Sequence, residues 1–336
     1  MRRRGWIRSA LAGATVVTLL AGCSSTDDAS GKPTIEPPSP AVAPAASVTP
    51  TGEIIPSSPV RLLLAEPSTG ILGKVLTDTP DLYLEDLAAK SMRTVPLGAT
   101  ATALALGKPG EFLVGVPGQV LRIDAATGKT TVVTVDGEVR SVALRGDGLV
   151  VGLGDGKVLL VDANGALQQT ISGLVSADVV DASDEQVVVL DRRQTLISEL
   201  NLADDRLGLS LRAGDGAVNM IGDHFGRRIV LDTAGGELLV YTADPLVLHQ
   251  RFPVGSSPYA LAYDQRSETV WVTLTGSNEV VGYDLSTGIP VEVGRYPTVR
   301  QPNSVTIDSR TGDMFVGSAT GDGLQRIAAD QRKRGQ

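Results

Sequence analysis

Beyond Ser58 the sequence is periodic, with a unit of roughly 40 residues that recurs seven times. Each unit runs through a small-apolar stretch, a Gly/Asp/Asn turn, a Val-rich stretch, a second turn, an alternating stretch ending on Asp or Asn, a Thr-Gly or Asn-Gly turn, and a fourth apolar stretch. Leu104-Ala105-Leu106, Phe112-Leu113-Val114-Gly115-Val116, Val120-Leu121-Arg122-Ile123-Asp124 and Thr131-Val132-Val133 make one copy. Val142-Ala143-Leu144, Leu149-Val150-Val151-Gly152-Leu153, Val158-Leu159-Leu160-Val161-Asp162 and Gln169-Thr170-Ile171 make the next. The third stretch of successive units ends at Asp86, Asp124, Asp162, Asn201, Thr242, Asp284 and Ala328.

Short Val- and Leu-rich segments with period two, punctuated by turn residues, are strands, and four strands per unit at this spacing is the pattern of propeller blades. Helical repeats of similar length would space their apolar residues by three and four. A β-sandwich would show no internal period. The expected fold is therefore all-β, a seven-bladed β-propeller over residues 59–330 with a short C-terminal tail at 331–336. The seventh unit stops one strand short, after Leu324-Gln325-Arg326-Ile327. Gly52-Glu53-Ile54-Ile55-Pro56, just ahead of the first unit, is the expected donor of the missing strand, which would leave the ring no open edge.

The segment before the repeat has a different character. Arg2-Arg3-Arg4, an apolar run from Leu11 to Leu20 and then Leu20-Ala21-Gly22-Cys23 form a basic n-region, a short h-region and a small-residue cleavage site. Residues 1–22 read as a signal peptide, and Arg3-Arg4 also fits a twin-arginine variant of one. Cys23, the single cysteine of the chain, stands where the bacterial lipobox places its lipidated residue. With two or more acyl chains such an anchor is stable, since each buried methylene contributes about 0.8 kcal/mol. Residues 23–58, dominated by Pro, Ala, Ser and Thr, are expected to be a disordered, solvated tether with a reach on the order of 100 Å at about 3.1 Å per residue. The reading places the protein outside the cytoplasmic membrane, on its outer face, with the bilayer as its first partner.

Charge narrows the other partners. The chain has 30 basic and 38 acidic side chains, and loss of the leader with its four arginines makes the remainder more acidic still. Clustered Lys and Arg of the kind that neutralise phosphates are absent, so nucleic acid is not expected. A lone cysteine excludes an intrachain disulfide, leaving the core alone to hold the fold.

Two stretches carry a likeness to known families. Val270-Trp271-Val272-Thr273-Leu274-Thr275-Gly276-Ser277-Asn278-Glu279-Val280-Val281-Gly282-Tyr283-Asp284 is similar to the repeat of YncE-type and surface-layer propellers. Cys23 with Pro33-Thr34-Ile35-Glu36-Pro37, then Val188-Val189-Leu190-Asp191-Arg192, Gly236-Glu237-Leu238-Leu239-Val240-Tyr241 and Arg295-Tyr296-Pro297-Thr298-Val299-Arg300-Gln301-Pro302-Asn303-Ser304, resemble mycobacterial lipoproteins of the LppL type. The resemblance implies a palmitate-bearing lipoprotein of the actinobacterial cell envelope and assigns it no reaction.

A propeller offers ligands the mouth of its central channel, where inner strands begin. The residues expected there are Arg140, Asp178, Asn219, Tyr259 and Asn303. Three bring oxygen ligands and one a fixed positive charge, a set suited to a calcium ion or a small anionic ligand, an envelope protein being the other candidate partner. The same Asp and Asn types also bond their own turns, and no metal or other cofactor is expected. Arg192-Arg193 and Arg227-Arg228 are anion-binding candidates of the same standing. Neither His224 nor His249 has ligand spacing, and no serine lies in Gly-x-Ser-x-Gly. The expected function is a non-enzymatic binding or scaffolding module, the rival being a lactonase- or gluconolactonase-type hydrolase with a divalent cation at the channel mouth.

Overall fold

The structure, a computed structural model, describes residues 31–243 and 245–332. The leader and Cys23 lie outside the described residues. Seven four-stranded antiparallel sheets follow one another around a ring, with blades at 60–96, 103–134, 139–171, 179–212, 217–253, 258–297 and 302–327. The seventh blade has three strands of its own, and its outer edge is completed from the other end of the chain. Glu53–Ile55 pairs antiparallel with Leu324–Ile327, with Glu53 opposite Arg326 and Ile55 opposite Leu324.

The burial of the strands explains the composition of the repeat. Second strands such as Val187–Asp191 and Thr269–Leu274 are buried on every residue because a neighbouring blade covers each face, hence their unbroken Val/Leu runs. Fourth strands such as Arg206–Arg212 form the rim and are mostly exposed, so they tolerate Arg and Ser. The core is a set of interblade layers. Between blades 5 and 6 lie Ile229, Leu231, Val240, Val270, Val272 and Tyr283, while the seam between blades 7 and 1 holds fewer buried side chains, among them Val60, Leu72, Phe315 and Leu324. Glycine in a second strand makes room for the next blade. A Cβ on Gly152 would stand 2.4 Å from the carbonyl oxygen of Ala177, where blade 4 begins.

The antiparallel path sorts the loops onto two faces. Interblade loops and the turns between second and third strands lie on one, called upper; the remaining turns lie on the other, called lower. Buried carboxylates brace both. On the upper face Asp191 accepts hydrogen bonds from the Val175, Ser176 and Gln194 amides at 2.8, 3.2 and 3.0 Å. Asp232 does the same for Asp215, Gly216 and Gly235 in blade 5. On the lower face Glu66 takes the amides of Ser68, Thr69 and Gly110 and the hydroxyls of Ser68 and Thr69.

From Lys32 to Thr51 the tether is extended and mostly exposed, and it is pinned at intervals to the upper face as a strap across blades 4 to 7. Lys32 Nζ donates to the Gly173 carbonyl, Ile35 N to Arg193 O at 2.8 Å, and Thr51 N to Pro297 O at 3.1 Å before the chain enters the closing strand. The composition that denies this segment a core leaves its backbone groups free, and the loop tops supply partners for them.

Candidate functional site

All five residues expected at the channel mouth stand on the upper face at the beginnings of inner strands, and each is engaged locally. Asp178 accepts from Ser176 Oγ at 2.8 Å with one carboxylate oxygen and from the Arg192 amide at 2.9 Å with the other. Asn219 Oδ1 accepts from the Met220 amide at 2.9 Å. Asn303 Oδ1 accepts from Gln301 Nε2 at 3.0 Å. Arg140 is exposed and pairs with Glu138 at 3.1 Å. Tyr259, next to Pro258, is half-buried against the core between blades 5 and 6, because strand alternation turns it inward. Tyr296 is likewise half-buried, 5.8 Å from the ring of Trp271.

The Arg227-Arg228 pair is an interblade brace. Arg227 reaches Asp223 at 2.6 Å and the Leu285 carbonyl of blade 6 at 3.0 Å. Arg228 is buried and reaches back to Asp181 of blade 4 at 2.5 Å. Burial holds the Asp181 carboxyl above its ordinary value in spite of that cation. Arg192 and Arg193 contribute their backbones, the first to Asp178 and the second to the strap.

The dominant feature of the upper face is the strap's seat at Ala41–Pro44. Gln301 uses both ends of its amide on the strap backbone: Oε1 accepts from Ala43 N at 2.9 Å and Nε2 donates to Ala41 O at 2.9 Å. Ser257 Oγ accepts from Ala41 N at 2.8 Å, Asn278 Nδ2 donates to Pro44 O at 3.0 Å, and Arg300 Nε donates to Ala43 O at 3.3 Å. Asn278 Oδ1 in turn accepts from the Gln301 backbone N–H at 3.0 Å. The Ala43 methyl is buried, with 2% of its surface exposed. Pro38 packs where a side chain at Gly216 would be, 2.6 Å from the position of its Cβ. Ser257 and Gln301 occupy the same place in successive blades, each before the proline that opens an inner strand, and both have left-handed backbones with φ of 52° and 54°. That conformation is costly outside glycine, and here it aims both side chains at the strap.

Among the described residues the lower face carries no strap. At its channel mouth is a cavity of about 400 Å³ walled by Leu64, Leu106, Ile221, Leu261, Val305 and Ile307. Tyr263 stands on its rim with its hydroxyl 2.7 Å from His224 Nδ1, and His224 Nε2 lies 3.8 Å from Glu268. Burial, with the nearby charges of Asp223 and Glu268, pushes the Tyr263 phenol up to about 12. A wider cleft of about 690 Å³ opens on the flank, where the three-residue closing strand leaves the outer part of the blade 7–blade 1 seam unfilled; the Lys74–Glu85 ion pair lines it. Among the described residues, no three or more His, Cys, Asp or Glu side chains gather closely enough to hold a metal ion.

No family model and no curated protein matches this chain. Solved structures do match, at the level of fold. The WD40 repeats of RRP9 superpose with a TM-score of 0.72 at 13% identity, covering 85% of this chain and 98% of that one. A hydrazine synthase chain from Kuenenia stuttgartiensis gives 0.68 at 12% identity over 85% and 98% of the two chains. A streptogramin B lyase gives 0.67 at 10% identity over 83% and 96%. At such identities the likeness establishes the propeller and carries no activity with it.

Proposed function

We propose that this propeller is a non-enzymatic binding or scaffolding module held by a lipid on Cys23 at the outer face of the cytoplasmic membrane, as its resemblance to LppL-type envelope lipoproteins implies. The observation that carries the non-enzymatic part is the engagement of the channel-mouth oxygens. Both carboxylate oxygens of Asp178 and the side-chain oxygens of Asn219 and Asn303 accept hydrogen bonds from neighbouring protein groups. A cation placed there would compete with those donors for the same oxygens. A lactonase-type site needs such oxygens free to polarise a carbonyl through the metal.

The deciding experiment is a thermal unfolding series with calcium, magnesium, manganese and zinc on the wild-type chain and on Asp178→Ala. A ligand that binds only the folded state raises the melting temperature with its concentration. The expected result is no ion-dependent rise in either protein. A saturable rise lost in Asp178→Ala would replace the module with a metal-dependent enzyme.

A further inference from the structure

The seat of the strap has the construction of a recognition site for extended polypeptide. Gln301, Ser257, Asn278 and Arg300 address backbone N–H and C=O groups of residues 41–44, and the side-chain demand is confined to a methyl at Ala43. Main-chain bonding with a pocket at one position is how grooves recognise extended peptides. Prolines at 38, 40 and 44 keep such a peptide extended before it binds and lower the entropy lost on docking. The receptor side is prepared as well: Gln301 is buried, pinned by Asn278 and held at positive φ.

We propose that the upper face is a receptor for an extended, proline-flanked polypeptide segment of the form Ala-x-Ala-Pro from a partner protein, and that the chain's own strap is the tethered competitor for this site. This gives the binding-module reading a ligand class and rests on it. Residues 45–49 between the seat and the closing strand are exposed, so the strap can leave without disturbing the strand pairing of blade 7. A tethered segment acts at an effective concentration in the mM range, which a free peptide must overcome while the strap is in place.

The probe is a fluorescein-labelled peptide with the sequence of residues 36–47, titrated by anisotropy into the full chain, into Ala43→Arg, and into Ala43→Arg combined with Gln301→Leu. Hydrogen exchange over residues 36–44 reports whether the strap has left. The arginine cannot enter the methyl slot, so exchange should accelerate and the peptide should bind Ala43→Arg at least about tenfold more tightly than wild type. Adding Gln301→Leu should abolish that gain. A second preparation covers the case in which Ala43→Arg folds poorly. A protease site inserted between Ala46 and Ser47 and cut in the folded protein should release residues before the cut on dilution and open the same peptide site. Unchanged exchange in Ala43→Arg would overturn the seat itself. A freed seat in either preparation that binds the peptide no better than wild type, or binds it equally without Gln301, would overturn the receptor. In both cases the absence of ion-dependent stabilisation would still leave the module reading standing.

Discussion

The two faces of the disc are built from the same repeat and have opposite surfaces. On the upper face, polar loop side chains are turned toward a second segment of chain; Gln301, Ser257 and Asn278 bond to it, and Asp191 and Asp232 hold the loops beneath. On the lower face Leu64, Leu106, Ile221, Leu261, Val305 and Ile307 wall an open cavity near the ends of inner strands, with Tyr263 on its rim. A propeller's two faces are made by different loops, so they can diverge without any change to the blades. The upper loops here are furnished with donors and acceptors for a backbone, while the lower channel mouth has apolar walls with a Tyr–His pair on its rim.

The largest expected effect concerns the lipid proposed on Cys23, which would orient the two faces. Because the strap reaches the disc on the upper side, lipid on Cys23 would hold that face toward the membrane and leave the lower one outward. Cys23→Ser should abolish fatty-acid labelling and move the protein wholly into the soluble fraction. Label persisting in Cys23→Ser would show that another residue carries the lipid and remove the basis for this orientation.

Next in size is the contrast in polar bonding. Gln301→Leu removes both clamp bonds and strands the Ala43 amide, so it should cost about 2–3 kcal/mol in a urea melt and lose exchange protection at 36–44. On the lower face Asn substitutions have no comparable clamp to break, and acid is the sharper probe. Burial pushes Glu66 up, but the hydrogen bonds from Thr69, Gly110 and Ser68 more than offset this and hold it at about 2, below its ordinary 4.5. Its contribution is complete above the ordinary value and fades as pH falls from 4.5 toward 2. Burial outweighs the amides at Asp191 and raises it above 3.8, so the folded chain takes up that proton first and the upper face gains as pH falls through the raised value. Urea midpoints should therefore fall less steeply with acid in Glu66→Gln than in wild type, and more steeply in Asp191→Asn. Parallel slopes for all three proteins would break this part of the comparison.

The smallest effect belongs to the lower rim. Tyr263→Phe removes one half-buried hydrogen bond to His224 and should cost about 1 kcal/mol or less, with no change in exchange at the strap. A change at residues 36–44 in that variant would mean that the faces communicate through blade 6.

The blades were legible because their signal is local and repeated: Asp86, Asp124, Asn201 and Asp284 end third strands where the period places them, and Asp162 follows directly on one. The strap's fate was not. Its Pro and Ala content fixes an extended backbone but says nothing about partners more than 200 residues away, such as Ser257 and Gln301. One trace was present, since Ser257-Pro258 and Gln301-Pro302 put polar residues at equivalent blade positions. His224 carries no ligand spacing along the chain; it meets Tyr263 because adjacent blades bring residues 39 apart together, a relation that aligning the repeats exposes and scanning for motifs does not.

The strap and the closing strand lie in series along the chain, the strap ahead of the strand, which has a mechanical meaning. A pull from the N-terminal side reaches Lys32 and Ile35 first, then Ala41 and Ala43, and only afterwards Glu53–Ile55. The strap is loaded end-on and peels one attachment at a time, paying out length under low force. Only when it is fully lifted does tension arrive at the strand that closes the ring. The strap is thus an extensible fuse that spends such a pull before the propeller's closure feels it.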